Sequence, residues 1–346
     1  MTTGQNFQVR HHIGHSPIMV HLRNKYYSDG RMFPVHTADQ KTKLTEFIVV
    51  NDQEHGTSYR CLTHPGSYYS PSLNGTEDWG AEHWAQLSSS LRSIPDWHVC
   101  RFGMMNKTQT QRLTAELRNN NLPVMVRESY FRILSGAQTW ESYLASRRAS
   151  FNRNQNRSRR NMLKNGYIFS NQLDTEQIMQ VYSSRHGVMG RDDYTESKNF
   201  RGFLLELREH YIREGLWYEL GIMKDGVLAA FTLGFWDQDN VFYVFQTCYD
   251  PATHKLRFGA LTFDRLIEDV LGRGCSKISF MGDSEYLRLF TDETYHFSVV
   301  DAFARTPRSY FLYLRRRFIM LTLNVKKRLM LLLKFGDSPE ATVAVT

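Results

Sequence analysis

The sequence predicts an α+β protein: a mixed sheet carrying helices, built as two similar halves. Three observations carry this. Apolar runs of strand length alternate with helix-length amphipathic stretches in both halves of the chain. Tight turns at Asp225-Gly226 and Asp237 to Asn240 join three apolar runs between Trp217 and Tyr249 into a meander. At 346 residues and 41% hydrophobic, the chain has material for two domains or one duplicated unit.

In the first half, "FIVVN", "WHVCRF" and "LPVMVRESYFRIL" read as strands, and "GAEHWAQLSSSLRSI" and "KTQTQRLTAELRNN" as helices. "HPGSYYSPSLNG" reads as a loop by its Pro, Gly, Ser and Asn content. The halves separate near Ser135-Gly136. Helical stretches then run from Trp140 to Lys164, and Asp174 with Gln177 three residues on predicts a capping box opening a helix through Ser184. Another helix covers Lys198 to Arg213. Val227 to Phe231 and Val241 to Phe245 are apolar at every position, which places them inside a sheet covered on both faces. A helix from Phe258 to Leu271 turns Leu261, Leu266, Ile267 and Val270 inward and stops at Gly272 and Gly274. "KISFM" and "YHFSVVDAFAR" close the chain's strands.

Four cysteines lie far apart, with no Cys-x-x-Cys pair and no disulfide framework, which predicts a reducing compartment and excludes structural zinc. The polar opening "MTTGQNFQVRHHIGHSP" predicts a cytoplasmic protein. Its His11, His12 and His15 have no carboxylate or cysteine at ligand spacing, so no metal site is read there.

The net charge of +8 is local. Nine Lys or Arg and no acid lie between Ala302 and Gly336, leaving −1 for the rest. Were that segment helical, its triplets Arg315 to Arg317 and Lys326 to Arg328 would face nearly the same way. Its apolar runs are too interrupted to span a bilayer, so an anionic membrane surface or a membrane-embedded partner is the expected contact for 308–335. A second basic stretch, Arg147 to Lys164, has seven cations and no acid, with Arg153, Arg157, Arg160 and Lys164 at helical spacing. It is a candidate for binding an anionic substrate, a nucleotide sugar or tRNA.

The stretch "YDPATHKLRFGALTFDRLIEDVLGRG" reads as a strand exit running into a helix whose first turn holds Arg257, Phe258, Gly259 and Ala260. A helix N-terminus offers unpaired N–H groups and partial positive charge. Gly259 lets the backbone approach an anion, and Arg257 adds a fixed charge. A plain turn explains the same residues.

The order of elements resembles the acyl-CoA-binding core of the GNAT superfamily of N-acetyltransferases. More narrowly, "YLASRRASFNRNQNRSRRNMLKNG", "DGVLAAFTLGF" with "YVFQTCYDPATHKLRFGALT", and "ISFMGDSEYLRLF" resemble the CelD/BcsL-like branch, associated with cellulose and other polysaccharide synthesis and related to FemABX-like double-GNAT proteins. The resemblance spans about Glu82 to Arg305. It departs from the pattern where Arg257-Phe258-Gly259 replaces a Ser-Pro-Gly and where Leu287 replaces a lysine after Tyr286.

The resemblance implies a GNAT-like lobe without cofactor at 1–135, a GNAT domain binding acyl-CoA at 136–306, and a basic amphipathic helix and tail at 307–346. It implies acetyl-CoA or another acyl-CoA as co-substrate, no metal, and a central strand splayed to receive it. The donor would lie along Gln246, Thr247, Cys248 and Tyr249, its phosphates over Arg257, Phe258, Gly259 and Ala260. Asp283, Glu285, Tyr286 and Asp250 are the acid and base candidates, with His254 a further base, and Arg153, Arg157 and Arg160 the substrate-binding candidates. Cys248 reads as a small buried hydrophobe. The implied acceptor is an amino or hydroxyl group of a sugar, lipid-linked sugar or exopolysaccharide precursor. A FemABX-like aminoacyl-tRNA-dependent transferase and a non-catalytic membrane or complex-binding module are the alternatives.

Overall fold

The computed structural model describes residues 17–37, 43–54, 57–63, 79–188, 198–291 and 293–336. His11, His12, His15 and the loop 64–75 lie outside the described residues. The first half contains α1 (Pro17–Tyr27), β1 (Ser28–His36), β2 (Lys43–Glu54), β3 (Thr57–Thr63), α2 (Ala81–Ser93), β4 (Val99–Met105), α3 (Lys107–Asn119) and β5 (Val124–Ser135). The second contains α4 (Trp140–Ser146), α5 (Ala149–Lys164), β6 (Ile168–Ser170), α6 (Thr175–Val188) and α7 (Lys198–Arg213). It continues with β7 (Trp217–Lys224), β8 (Val227–Trp236), β9 (Val241–Tyr249), α8 (Phe258–Gly272), β10 (Lys277–Ser279), β11 (Thr294–Phe303) and α9 (Pro307–Gly336).

The duplication is visible in the pairing. Each half has an antiparallel three-strand meander, a helix, a strand parallel to the meander's third, and a last antiparallel strand: β1-β2-β3-α2-β4-α3-β5 against β7-β8-β9-α8-β10-β11. All eleven strands form one sheet in the order β1-β2-β3-β4-β11-β5-β10-β9-β8-β7-β6. The halves therefore exchange their last strands. β11 pairs with β4 as well as with β5, and β5 reaches across to β10.

Local sequence explains the legible elements. Asp225 and Gly226 both hold positive φ, the conformation a two-residue hairpin turn requires. On β8 and β9, Phe231, Leu233, Phe235, Val241, Tyr243 and Phe245 face a core built with α1, α6 and α7, while Ala230, Trp236, Phe242 and Val244 face the α8 side. The capping-box reading at Asp174 holds by half. The Asp174 carboxylate accepts from the backbone N–H groups of Glu176 and Gln177, but the Gln177 side chain turns to β8, bonding Gly226 O and Leu228 N. The first half's core lies between its strands and α2 and α3, and α9 packs Leu312 on the opposite face against Tyr59, Val99 and Phe303.

Candidate functional site: the cleft between β9 and β10

β9 and β10 run parallel and pair only at Val241 to Tyr243 with Lys277 to Ser279. Past that point β9 continues for six residues, and a register shift against β8 leaves Phe245 as an extra residue. Such a bulge bends a strand and increases its twist. The strands part, and a cleft of about 720 Å³ opens along Val244 to Tyr249.

One end of the cleft is the start of α8. A 3-10 turn, Pro251–Leu256, separates it from β9, a short element where the sequence reading has a direct turn. The Asp250 carboxylate caps that turn by accepting from the Ala252 N–H at 3.0 Å. Arg257 is the N-cap residue of α8 at φ 58°, a conformation uncommon outside glycine, and its side chain does not cap the helix. Ala260 and Leu261 N–H donate to Arg257 O, so the N–H groups of Phe258 and Gly259 are the ones at the helix start with no partner one turn back in the helix, and the first turn holds no acid. A Cβ added to Gly259 would lie 3.3 Å from the Tyr249 ring and 3.6 Å from the Tyr286 hydroxyl.

The cleft is lined by Gln246, Thr247, Cys248, Tyr249, Arg257, Phe258, Gly259, Ala260, His254 and Tyr286, all expected from the sequence, and by Arg185 and Ser284, which were not. Arg185 sits in the last turn of α6, its guanidinium 4.4 Å from the centre of the Tyr249 ring. Nothing in the letters around it marks it, because α6 lies some sixty residues earlier and only the fold brings it to β9. Its cation joins Arg257 and His254, and no carboxylate is among the lining residues.

Tyr286 is 38% exposed and lines the cleft with its hydroxyl beside Gly259. Burial pushes the phenol well above its ordinary range, with Arg257 opposing, so it remains a proton donor. Burial also raises the Cys248 thiol to about 11, and its Sγ–H donates to Val181 O, which leaves it a packed, inert thiol as expected.

The structure keeps the three carboxylate candidates out of the cleft. Asp283 is held by Arg132 Nε at 3.0 Å. Burial alone would raise its carboxyl, but hydrogen bonds from Tyr130 and Arg132 and the charges of Arg132 and Arg288 hold it below the ordinary value. Glu285 is exposed and pairs with Arg288 at 3.5 Å. Asp250 is the turn cap described above. Glu285 and Asp250 take partners within three residues, while Asp283 is taken by Arg132 from β5. Leu287, where the resemblance expects lysine, is buried among Phe263, Phe280 and Phe290. Arg153, Arg157 and Arg160 are exposed on α5, whose Gln155, Ser158 and Met162 are buried, and none of the three lines the cleft.

In the first half β3 pairs with β4 through its last three residues, Cys61 to Thr63, and the residues that follow lie outside those described. At the start of α2, Glu82 folds its carboxylate back over Gly80, setting negative charge where α8 has none.

Residues 145–295 match the protein family described as "Acetyltransferase (GNAT) domain". The chain has the GNAT fold. Among solved structures, FemX superposes with a TM-score of 0.54 at 8% identity, over 88% of this chain and 96% of FemX. A tandem GNAT protein from the clavulanic acid biosynthesis pathway gives 0.48 at 11%, covering 77% and 80%. The C-terminal domain of a putative lysylphosphatidylglycerol synthetase from Agrobacterium fabrum gives 0.49 at 8%, covering 85% and 93%. At these identities the likeness concerns the fold alone, and only the FemX superposition is close enough to carry that. No curated protein matches the chain in sequence. In GNAT terms, the parting of β9 from β10 is the splayed central strand, and the exchanged strands join two GNAT-like lobes into one sheet.

Proposed function

We propose that the protein is an acyl-CoA-dependent acyltransferase acting on an amino or hydroxyl group of a sugar, lipid-linked sugar or exopolysaccharide precursor. The observation that carries the donor assignment is the parting of β9 from β10 directly beside the acid-free start of α8, with Arg257 and Gly259 at the junction. The unpaired edge of Val244 to Tyr249 presents backbone N–H and C=O groups to an extended amide-bearing chain. Arg257, Arg185 and the first N–H groups of α8 supply positive charge for phosphates. The first lobe, with Glu82 at the matching helix start, holds no donor in this reading.

In the reaction the acceptor nitrogen or oxygen bonds to the thioester carbonyl carbon and the C–S bond breaks. A backbone N–H beside the bulge at Phe245 stabilises the developing oxyanion, a contribution of about 3 kcal/mol in comparable sites. Tyr286 donates its phenolic proton to the leaving sulfur, and the acceptor's proton leaves to water, since Asp283, Glu285 and Asp250 are engaged elsewhere. The acceptor class rests on the resemblance of the second half to the CelD/BcsL-like branch. The reading places the protein in the cytoplasm, where acyl-CoA is available.

The test is thermal denaturation with and without coenzyme A and acetyl-CoA, on the wild type and on Arg257→Glu. At a hundred times its dissociation constant a ligand adds about 2.7 kcal/mol, several degrees for a chain of this size. A shift in the wild type that Arg257→Glu loses supports the reading. No shift with either ligand overturns it.

One observation favours a second reading, a FemABX-like transferase using aminoacyl-tRNA: the exposed cations Arg153, Arg157, Arg160 and Lys164 along α5. It requires filter-retained binding of charged tRNA that weakens steeply with salt and is lost when these four become glutamate.

A further inference from the structure

We propose that α9 docks the protein on a bilayer surface rich in anionic lipid, through an apolar stripe formed by Phe311, Leu314, Phe318, Leu321 and Val325. The five side chains are between 54% and 69% exposed. Their spacing, three and four residues in alternation, sets them on one side of the helix within an arc of roughly 80°. The opposite side is fixed to the body. Leu312 is buried against Phe303 and Tyr59, and Arg316 is buried with its guanidinium on Asp301 and on the Tyr59 hydroxyl. The triplet Arg315 to Arg317 therefore does not present one face that Lys326 to Arg328, whose side chains lie outside those described, could share. One turn of a helix spreads three neighbours around its axis, and Arg316 is taken inward by Asp301 while Arg315 and Arg317 stand about 80° to either side of the stripe.

Charge selects the occupant. No Asp or Glu occurs between Ala302 and Gly336, while nine cations do. A second copy of α9 laid along the stripe would bring Arg315 and Arg317 against their own kind with no acid to answer them. An anionic headgroup layer does the reverse: the apolar stripe enters the acyl boundary and the flanking cations reach phosphates. No helix among the described residues is long and apolar enough to cross a membrane, so the contact is one of lying on the surface. Beyond Met320, Leu321, Thr322 and Leu323 point in three directions and are all exposed, which leaves that turn of the helix clear of the body.

The test is flotation of the full chain with vesicles of phosphatidylcholine, and with vesicles in which a third of it is replaced by phosphatidylglycerol. Wild type and Phe318→Glu/Leu321→Glu are compared after confirming equal melting temperatures, since both residues are exposed. The expected result is at least tenfold tighter binding to the anionic vesicles, reduced at high salt, and loss of binding in the double variant. The proposal is overturned if the wild type binds neither vesicle, or if the double variant binds as well as the wild type. It is equally overturned if sedimentation shows a dimer that the double variant dissolves, because the stripe would then be an interface between copies.

Discussion

Gly259 and Tyr249 lie so close that a Cβ on residue 259 would stand 3.3 Å from Tyr249 Cδ1, a contact the ring admits only by shifting a few tenths of an ångström. Gly259 is the second residue of α8, so alanine there removes part of a helix penalty that reaches about 1 kcal/mol for an interior glycine, and this offsets the small shift of the ring. Gly259→Ala is expected to melt at the same temperature or higher while losing at least about tenfold in affinity for coenzyme A, or about 1.4 kcal/mol. Calorimetric titration beside a melting curve separates the two effects.

Tyr286 lies in the cleft as a phenol that stays protonated. If it supplies the proton to the leaving sulfur, Tyr286→Phe lowers kcat by about 100-fold or more and leaves KM for the donor little changed. A matching rise in KM would assign the hydroxyl to binding instead. Steady-state kinetics at saturating acceptor makes the distinction.

Asp301 is fully buried and accepts from Arg101, Arg127 and Arg316, which join β4, β5 and α9 to β11. Asp301→Asn leaves three guanidinium groups around a neutral amide and is expected to cost about 3–5 kcal/mol in denaturant unfolding. Burial would raise this carboxyl, but Arg101, Arg127 and Arg316 hold it below the ordinary value. A depressed carboxyl stabilises the fold above its unfolded pKa. That stability fades as pH falls below about 4 and through the folded value, and the variant should lack this acid limb.

Asp264 behaves in the opposite sense. It is buried on α8 with Oδ1 lacking a hydrogen-bond partner, and burial raises its carboxyl to about 6 against the pull of Arg159. The folded chain then holds this proton more tightly than the unfolded chain. Its contribution is most favourable below about pH 4 and declines until about pH 6, by roughly 3 kcal/mol in all. Asp264→Asn removes that slope and is expected to melt higher than wild type at neutral pH, seen in melting curves across the range.

Much of the second half could be read from the letters because its signals are local. The Asp225-Gly226 turn, the two-sided apolar strands and the stop at Gly272 each act within a few residues. β1 and β3 were not legible. "SDGRMFPVH" carries Gly and Pro, "TSYRCLT" is short and mixed, and both are fixed by pairing with β2 rather than by their own pattern. Glycine and charge at a helix start mark the stretch around Arg257, which lines the cleft. Nothing of the kind marks Arg185, for only tertiary packing sets it on Tyr249. Asp283 and Glu285 are candidates because they lie just beyond the "KISFM" strand, but neighbours on an irregular turn point different ways, and the cleft is lined there by Ser284, Tyr286, Leu287 and Leu289 instead.

The exchange of last strands sets a schedule for synthesis. β4 and β5 are complete by Ser135, yet the strand that fills the space between them begins at Thr294. At ribosomal speeds of about 5–20 residues per second, their facing edges wait roughly eight to thirty-five seconds for a partner. Open strand edges are sites of mispairing between chains. A nascent chain of this kind is most exposed to aggregation in mid-synthesis, and the late arrival of β11, with Asp301 and then Arg316 behind it, closes the sheet and locks α9 over the seam in one event.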